Sequence, residues 1–251
     1  MSSQPPPFLE LPAAPDSNSS AVIVFLHGLG DTSEGILPIA KSVRSKAGLN
    51  HTKWILPQAP RIPVTGNMHS RPMPSWFDIY SFELPVRVPL PGEEDEAGML
   101  RSIASIDELL SEIVESGVDP SRIVLGGFSQ GAAMTLLTGL TTAKKLAGLF
   151  VLSARLPLRN KFKSMASFHA PSIPVFWGHG TADPLVTYEL GRACADFLIS
   201  EIGLPAAPAS DSAEGLNFHA YDSLPHSVGG EEMEDLASWL KKILPPLEGS
   251  G

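Results

Sequence analysis

The chain has 251 residues, 43% of them hydrophobic and 18% charged, which suits one large α/β domain of an ordinary globular protein. A formal charge of -9 and a pI near 5.2 exclude the concentrated basic surface that a nucleic-acid partner needs. The lone cysteine, Cys194, cannot form an internal disulfide, so a reducing, cytoplasmic compartment is expected.

Residues 1–20 carry five prolines between Pro5 and Pro15, with neither a basic stretch nor an apolar core of signal-peptide length. They read as a flexible lead-in to a single domain over residues 21–247, with a short tail at 248–251. No apolar run approaches the roughly 18 residues needed to span a bilayer, so any membrane contact is expected to be peripheral. The unalternated run AVIVFL at 21–26 predicts a strand covered on both faces. Asp31 and Glu34 then read as a capping box opening a helix through Val43, and residues 53–56 as a second strand.

From 57 to 92 the chain is rich in proline and large apolar groups without periodicity, including Met68, Met73, Trp76, Phe77, Phe82 and Leu84. Such irregular stretches in compact domains are often functional, so this one is a candidate wall of a site. Residues 97–117 place Met99, Ile103, Ile106, Leu110 and Ile113 on one helical stripe. Strands are expected at 122–126, 147–153, 173–178 and 217–221, and helices at 186–202 and 231–244. The last helix has acids in its first turn and Lys241 and Lys242 in its last, matching the helix dipole. Alternating strands and helices predict an α/β fold with a doubly wound, mostly parallel sheet. A second irregular stretch, 154–171, mixes Arg155, Arg159, Lys161 and Lys163 with Leu156, Leu158, Phe162, Met165 and Phe168. It reads as a solvated loop, with contact to an anionic membrane as the functional alternative.

The chemistry centres on Gly127-Phe128-Ser129-Gln130-Gly131, which lies between the strand at 122–126 and a helix opening at Ala132. A serine on a sharp strand-to-helix turn exposes its hydroxyl, and glycines two positions either side leave room for that backbone. Ser129 therefore reads as a nucleophile. It needs a base held in one tautomer by a buried acceptor. In the chain order Ser, acid, His, the acid is Asp183, just beyond the strand at 173–178, and the base is His226, between the strand at 217–221 and the last helix. Asp222 is the competing acid and is read instead as stabilising its own turn. The oxyanion needs two N–H donors: that of Gln130, after the nucleophile, and that of Leu29, in the glycine-rich loop after the first long strand. Only the backbone of Gln130 is given a role. His27 and His179 read as structural supports that hydrogen-bond backbone. The remaining histidines show no ligand spacing, and neither a metal nor a cofactor is expected. Cys194 reads as a small buried hydrophobe.

Six segments carry a close resemblance: FLHGLGDT (25–32), PQAPRIPVT (57–65), SWFDI (75–79), GGFSQGAAM (126–134), HGTADPLV (179–186) and PHSV (225–228). From about residue 21 to 244 the chain resembles the acyl-protein thioesterase branch of the phospholipase/carboxylesterase family. The resemblance implies an α/β-hydrolase without an inserted cap domain, the triad Ser129, Asp183 and His226, and oxyanion donors at Leu29 and Gln130. It moves Trp76, which spacing alone assigns to the core, toward the substrate-binding rim. It also implies removal of long-chain acyl groups from protein cysteines, with lysolipids and small esters as further substrates. Three departures stand out: Ala132 replaces a glycine common in relatives, residues 80–92 are longer than expected, and the chain begins without the cysteine that anchors some animal relatives. The alternatives are a general carboxylesterase or lysophospholipase and, in another class, a non-catalytic acyl-chain-binding protein.

Overall fold

The computed structural model describes residues 4–14, 21–67, 71–82 and 92–247. In chain order these form strand β1 (Phe8–Leu11), β2 (Ala21–Leu26), helix α1 (Ser33–Ala47), β3 (Thr52–Pro57), the short strands β4 (Arg61–Ile62) and β5 (Met73–Pro74), α2 (Glu96–Glu115), β6 (Ile123–Phe128), α3 (Gln130–Gly139), β7 (Gly148–Leu152), α4 (Arg159–Met165), β8 (Val175–Gly180), α5 (Tyr188–Phe197), β9 (Leu216–Tyr221) and α6 (Gly230–Ile243). Seven strands make one sheet in the order β1-β3-β2-β6-β7-β8-β9, while β4 and β5 pair separately. Every neighbouring pair in the large sheet is parallel except β1 with β3. The β4–β5 pair falls between β3 and α2, outside the α/β alternation.

Both faces of the sheet are covered, which explains the unalternated apolar runs. In β2, Val22, Val24 and Leu26 join a core under α2, α3 and α5. Ala21, Ile23 and Phe25 point the other way, into a core closed by Ile36, Ala40 and Val43 of α1 and by Leu236 and Leu240 of α6. Because the strands are parallel, the loops that leave β2, β6, β8 and β9 emerge at one edge. The candidate catalytic residues lie on those four loops, as expected where ligands bind outside the carboxyl ends of parallel strands.

Several expectations need correction. The lead-in contributes a strand: β1 runs antiparallel to β3, with Phe8 opposite Pro57 and Leu11 opposite Trp54. Thr32, not Asp31, caps α1, accepting the Gly35 N–H at 3.1 Å, while Asp31 accepts the Thr32 N–H at 2.8 Å. The helix expected over 186–202 ends at Phe197, followed by a wider turn over Leu198–Ile202. Met68, Leu84, the rest of 83–91 and the tail at 248–251 lie outside the described residues.

Candidate active site

Ser129 joins β6 to α3 with φ 53° and ψ -117°, a conformation that costs a non-glycine residue about 1–3 kcal/mol. The neighbourhood holds it there: its N–H donates to the Leu152 carbonyl at 2.9 Å, and its carbonyl accepts from the Ala133 N–H at 3.0 Å. The flanking glycines are required by contact. A Cβ on Gly127 would lie 2.3 Å from the Gly131 carbonyl carbon, and one on Gly131 would lie 2.3 Å from the Leu26 oxygen. The start of α3 therefore packs directly against the end of β2.

Asp183 lies just past β8 and His226 between β9 and α6, and the fold brings both to Ser129. His226 Nδ1 is 2.6 Å from Asp183 Oδ2, and its Nε2 is 2.8 Å from Ser129 Oγ. Beside a carboxylate, Nδ1 carries the proton, which leaves Nε2 to accept from the serine hydroxyl. Burial works against the Asp183 charge, but the hydrogen bond from His226, with the Leu185 and Val186 N–H groups, holds its carboxyl below the ordinary range. His179 Nε2 stands 3.7 Å from Asp183 Oδ2 yet donates to the Val186 carbonyl at 2.8 Å. Burial lowers its pKa, so His179 is a neutral support. Asp222 accepts the Ser223 N–H within its own turn and the Thr181 hydroxyl from the loop after β8, both at 3.1 Å.

Leu29 and Gln130 share a cavity of about 640 Å³ with Ser129 and His226, a size usual for a small-ligand pocket. The Leu29 loop lies against the serine, since a Cβ on Gly28 would sit 3.4 Å from Ser129 Cβ. Phe77, Ile79, Phe82, Met99 and Leu185 give the cavity an apolar wall; Asp31, Asp78, Glu93, Glu94 and Arg155 add charge. Among the described residues no group of three or more His, Cys, Asp or Glu side chains is placed to hold a metal ion.

Trp76 does not stand at the rim. It is 2% exposed, behind the cavity wall, and its indole N–H donates to the His27 carbonyl at 2.9 Å. The sequence reading also missed the Gln130 side chain, which is buried and bonds to the segment at 75–77. No local pattern marks that role, because the partners lie more than fifty residues away. The stretch 154–171 differs from a basic surface as well: Arg155 pairs with Glu94, Lys161 with Glu96 and Lys163 with Glu201. Leu156, Leu158 and Phe162 are buried there, and Phe168 alone among its large apolar groups is widely exposed, at 84%. Cys194 is buried and accepts the Leu156 N–H at 3.3 Å; burial pushes its thiol up.

The sequence profile of the phospholipase/carboxylesterase family matches residues 12–244. Acyl-protein thioesterase 1 of Cryptococcus neoformans is 46% identical over 236 residues, covering 93% of this chain and 97% of that protein. The crystal structure of Arabidopsis thaliana SOBER1 superposes with a TM-score of 0.78 at 34% identity, covering 89% of this chain and 99% of that one. Zea mays acyl-protein thioesterase 2 superposes with a TM-score of 0.75 at 27% identity over 95% and 99% of the two chains. These solved neighbours share the α/β-hydrolase fold.

Proposed function

The chain belongs to the phospholipase/carboxylesterase family and is a serine hydrolase, and from that premise we propose that it cleaves the thioester of long-chain acyl groups on protein cysteines through Ser129, His226 and Asp183. One observation carries the assignment: the hydrogen-bonded run from Asp183 through His226 to Ser129, at 2.6 and 2.8 Å, opens into a largely apolar cavity. His226 Nε2 takes the Ser129 proton as Oγ adds to the acyl carbonyl carbon. The Leu29 and Gln130 N–H groups receive the oxyanion. Collapse expels the cysteine thiolate, which the His226 imidazolium protonates. Water, deprotonated by the same imidazole, then hydrolyses the acyl-enzyme and regenerates the serine. A thiolate leaves readily, a free cysteine having a pKa of about 8.5, so thioesters ask less of His226 as an acid than alkyl esters do.

The relatives named acyl-protein thioesterase support S-acylated proteins as substrates, and the apolar wall supports an acyl chain. The cation pairing in 154–171 favours a substrate that reaches into the cavity over attachment of this stretch to a membrane. A cytoplasmic location remains part of the proposal, resting on the lone buried cysteine. Rates on S-acylated peptides, a lysophospholipid and short-chain esters, compared below the critical micelle concentration, test the reading. Thioester rates that rise from four- to eight-carbon chains support it, each buried methylene contributing at most about 0.8 kcal/mol. Rates that stay flat or fall with chain length would make this a general carboxylesterase. A failure to release any product from an activated ester would make it an acyl-binding protein.

A further inference from the structure

We infer that Trp76 is a positioning residue for the oxyanion site, tying together the two chain segments that carry its N–H donors. The inference rests on the assignment of those donors to Leu29 and Gln130 made above.

The two donors come from unconnected parts of the chain. Gln130 N–H is at the start of α3, where the first backbone N–H groups have no partner within the helix. Leu29 N–H is in the turn that follows β2, which lacks the regular ladder of a strand or helix. For both to point at one oxygen, something must set the turn against the helix. The segment 74–76 does this from both sides. The Trp76 indole N–H donates to the His27 carbonyl at 2.9 Å, and the Gly30 N–H donates to the Pro74 carbonyl at 2.8 Å. These two bonds bracket Leu29. On the other side, Gln130 Oε1 accepts the Trp76 backbone N–H at 2.9 Å, and Gln130 Nε2 donates to the Phe77 carbonyl at 2.8 Å and to Ser75 Oγ at 3.0 Å. One residue thus holds the Leu29 turn through its indole and the residue bearing the other donor through its backbone.

The bridge is stiff because His27, Ser75, Trp76, Phe77 and Gln130 are buried and held again. The Ser102 hydroxyl donates to the Trp76 carbonyl. His27 Nε2 accepts the Ala59 N–H at 3.0 Å, while its Nδ1 lies 2.7 Å from the Gly28 carbonyl and donates to it. Burial lowers the His27 pKa, consistent with this neutral tautomer. An oxyanion site works through donors fixed before charge develops, and misplacement by about 1 Å costs on the order of a hundredfold. The His27–Trp76 bond is therefore the point at which the spacing of the donors can be altered without touching either of them.

The test is Trp76→Phe, which removes the indole N–H and keeps an aromatic ring. The probes are an alkyl trifluoromethyl ketone and a matching alkyl thioether with no carbonyl. With the ketone, Ser129 Oγ adds to the carbonyl carbon, the proton passes to His226 and the carbonyl pair becomes an oxyanion, so its affinity reads the donors. The thioether reads only the acyl groove. We expect kcat to fall about ten- to a hundredfold with KM little changed, ketone affinity to fall by the same factor, and thioether affinity to stay put. Equal weakening of both probes, or an unchanged kcat, overturns the inference. A wild-type enzyme that binds the ketone no better than the thioether overturns the oxyanion assignment itself, a separate failure. If Trp76→Phe does not fold, 3-benzothienylalanine at position 76 keeps the bicyclic shape and lacks only the N–H, with the same outcomes expected and the same ones contrary.

Discussion

Glu94 and Arg155, sixty-one residues apart, meet at 2.8 Å in the cavity wall, with side chains only 12% and 17% exposed. The second Glu94 oxygen accepts the Leu158 N–H at 3.0 Å, so one carboxylate binds the 92–95 loop to the segment after β7.

Removing that charge should loosen the wall. Glu94→Gln keeps an acceptor for Leu158 but leaves the guanidinium without its ion partner, at a cost of about 1–3 kcal/mol. Thermal unfolding should record the loss. The rise of kcat/KM with acyl length should also flatten, because a mobile wall buries less of each methylene. Unchanged melting together with an unchanged chain-length series would remove the pair from any role in the groove.

Ser129 sits at positive φ under strain, so its replacements separate chemistry from stability. Ser129→Ala should fold, lose labelling by a fluorophosphonate and retain the strain. Ser129→Gly should be equally inactive yet more stable than the alanine variant by about 1 kcal/mol, since glycine accepts this backbone. Labelling of either variant would place the nucleophile elsewhere.

Asp183→Asn should lower kcat by about four orders of magnitude while binding of an uncleavable acyl analogue persists, because an amide no longer holds the proton on His226 Nδ1. The Leu185 and Val186 N–H groups, both on Oδ1, can keep an oxygen of the new side chain in place. A loss of less than about tenfold would transfer the acid's role to another residue.

Glu232 governs a different property. It is fully buried on α6, accepts the Gly229 N–H at 3.2 Å and packs over Gly178. Burial pushes its carboxyl up to about 7, against the pull of that N–H. In the unfolded chain the group ionises near 4.5, so the unfolded state loses its proton first and stability falls as pH rises from about 4.5 to 7. Above about 7 the penalty is constant, at roughly 3 kcal/mol. Glu232→Gln should therefore gain over wild type with rising pH, the gap in melting temperature opening between pH 5 and 7 and then holding. A gap independent of pH would mean that Glu232 is ionised in the folded protein.

The legible parts of the sequence were those set by repetition or by obligatory chemical order. Residues 21–26 coincide with β2 because a run buried on both faces announces itself, 217–221 fall within β9, and the stripe at 97–117 matches α2 within two residues at each end. Ser129, Asp183 and His226, which the fold brings into one hydrogen-bonded run, could be singled out as candidates because each follows a strand. The Gln130 side chain, the Trp76 indole and the Glu94–Arg155 pair could not, since each joins distant segments that lack a period. Beta1 escaped notice because four residues among prolines carry too short an alternation.

That short strand has a consequence for assembly. With β1 in place, the outer side of β3 is paired from Trp54 to Pro57. A chain clipped after Leu11 would bare a row of N–H and C=O groups flanked by apolar side chains, which is a template for another copy to pair with. Eight residues that take no part in catalysis, from Gln4 to Leu11, thus guard the protein's colloidal behaviour, and a proteolytic nick there would be felt first as self-association.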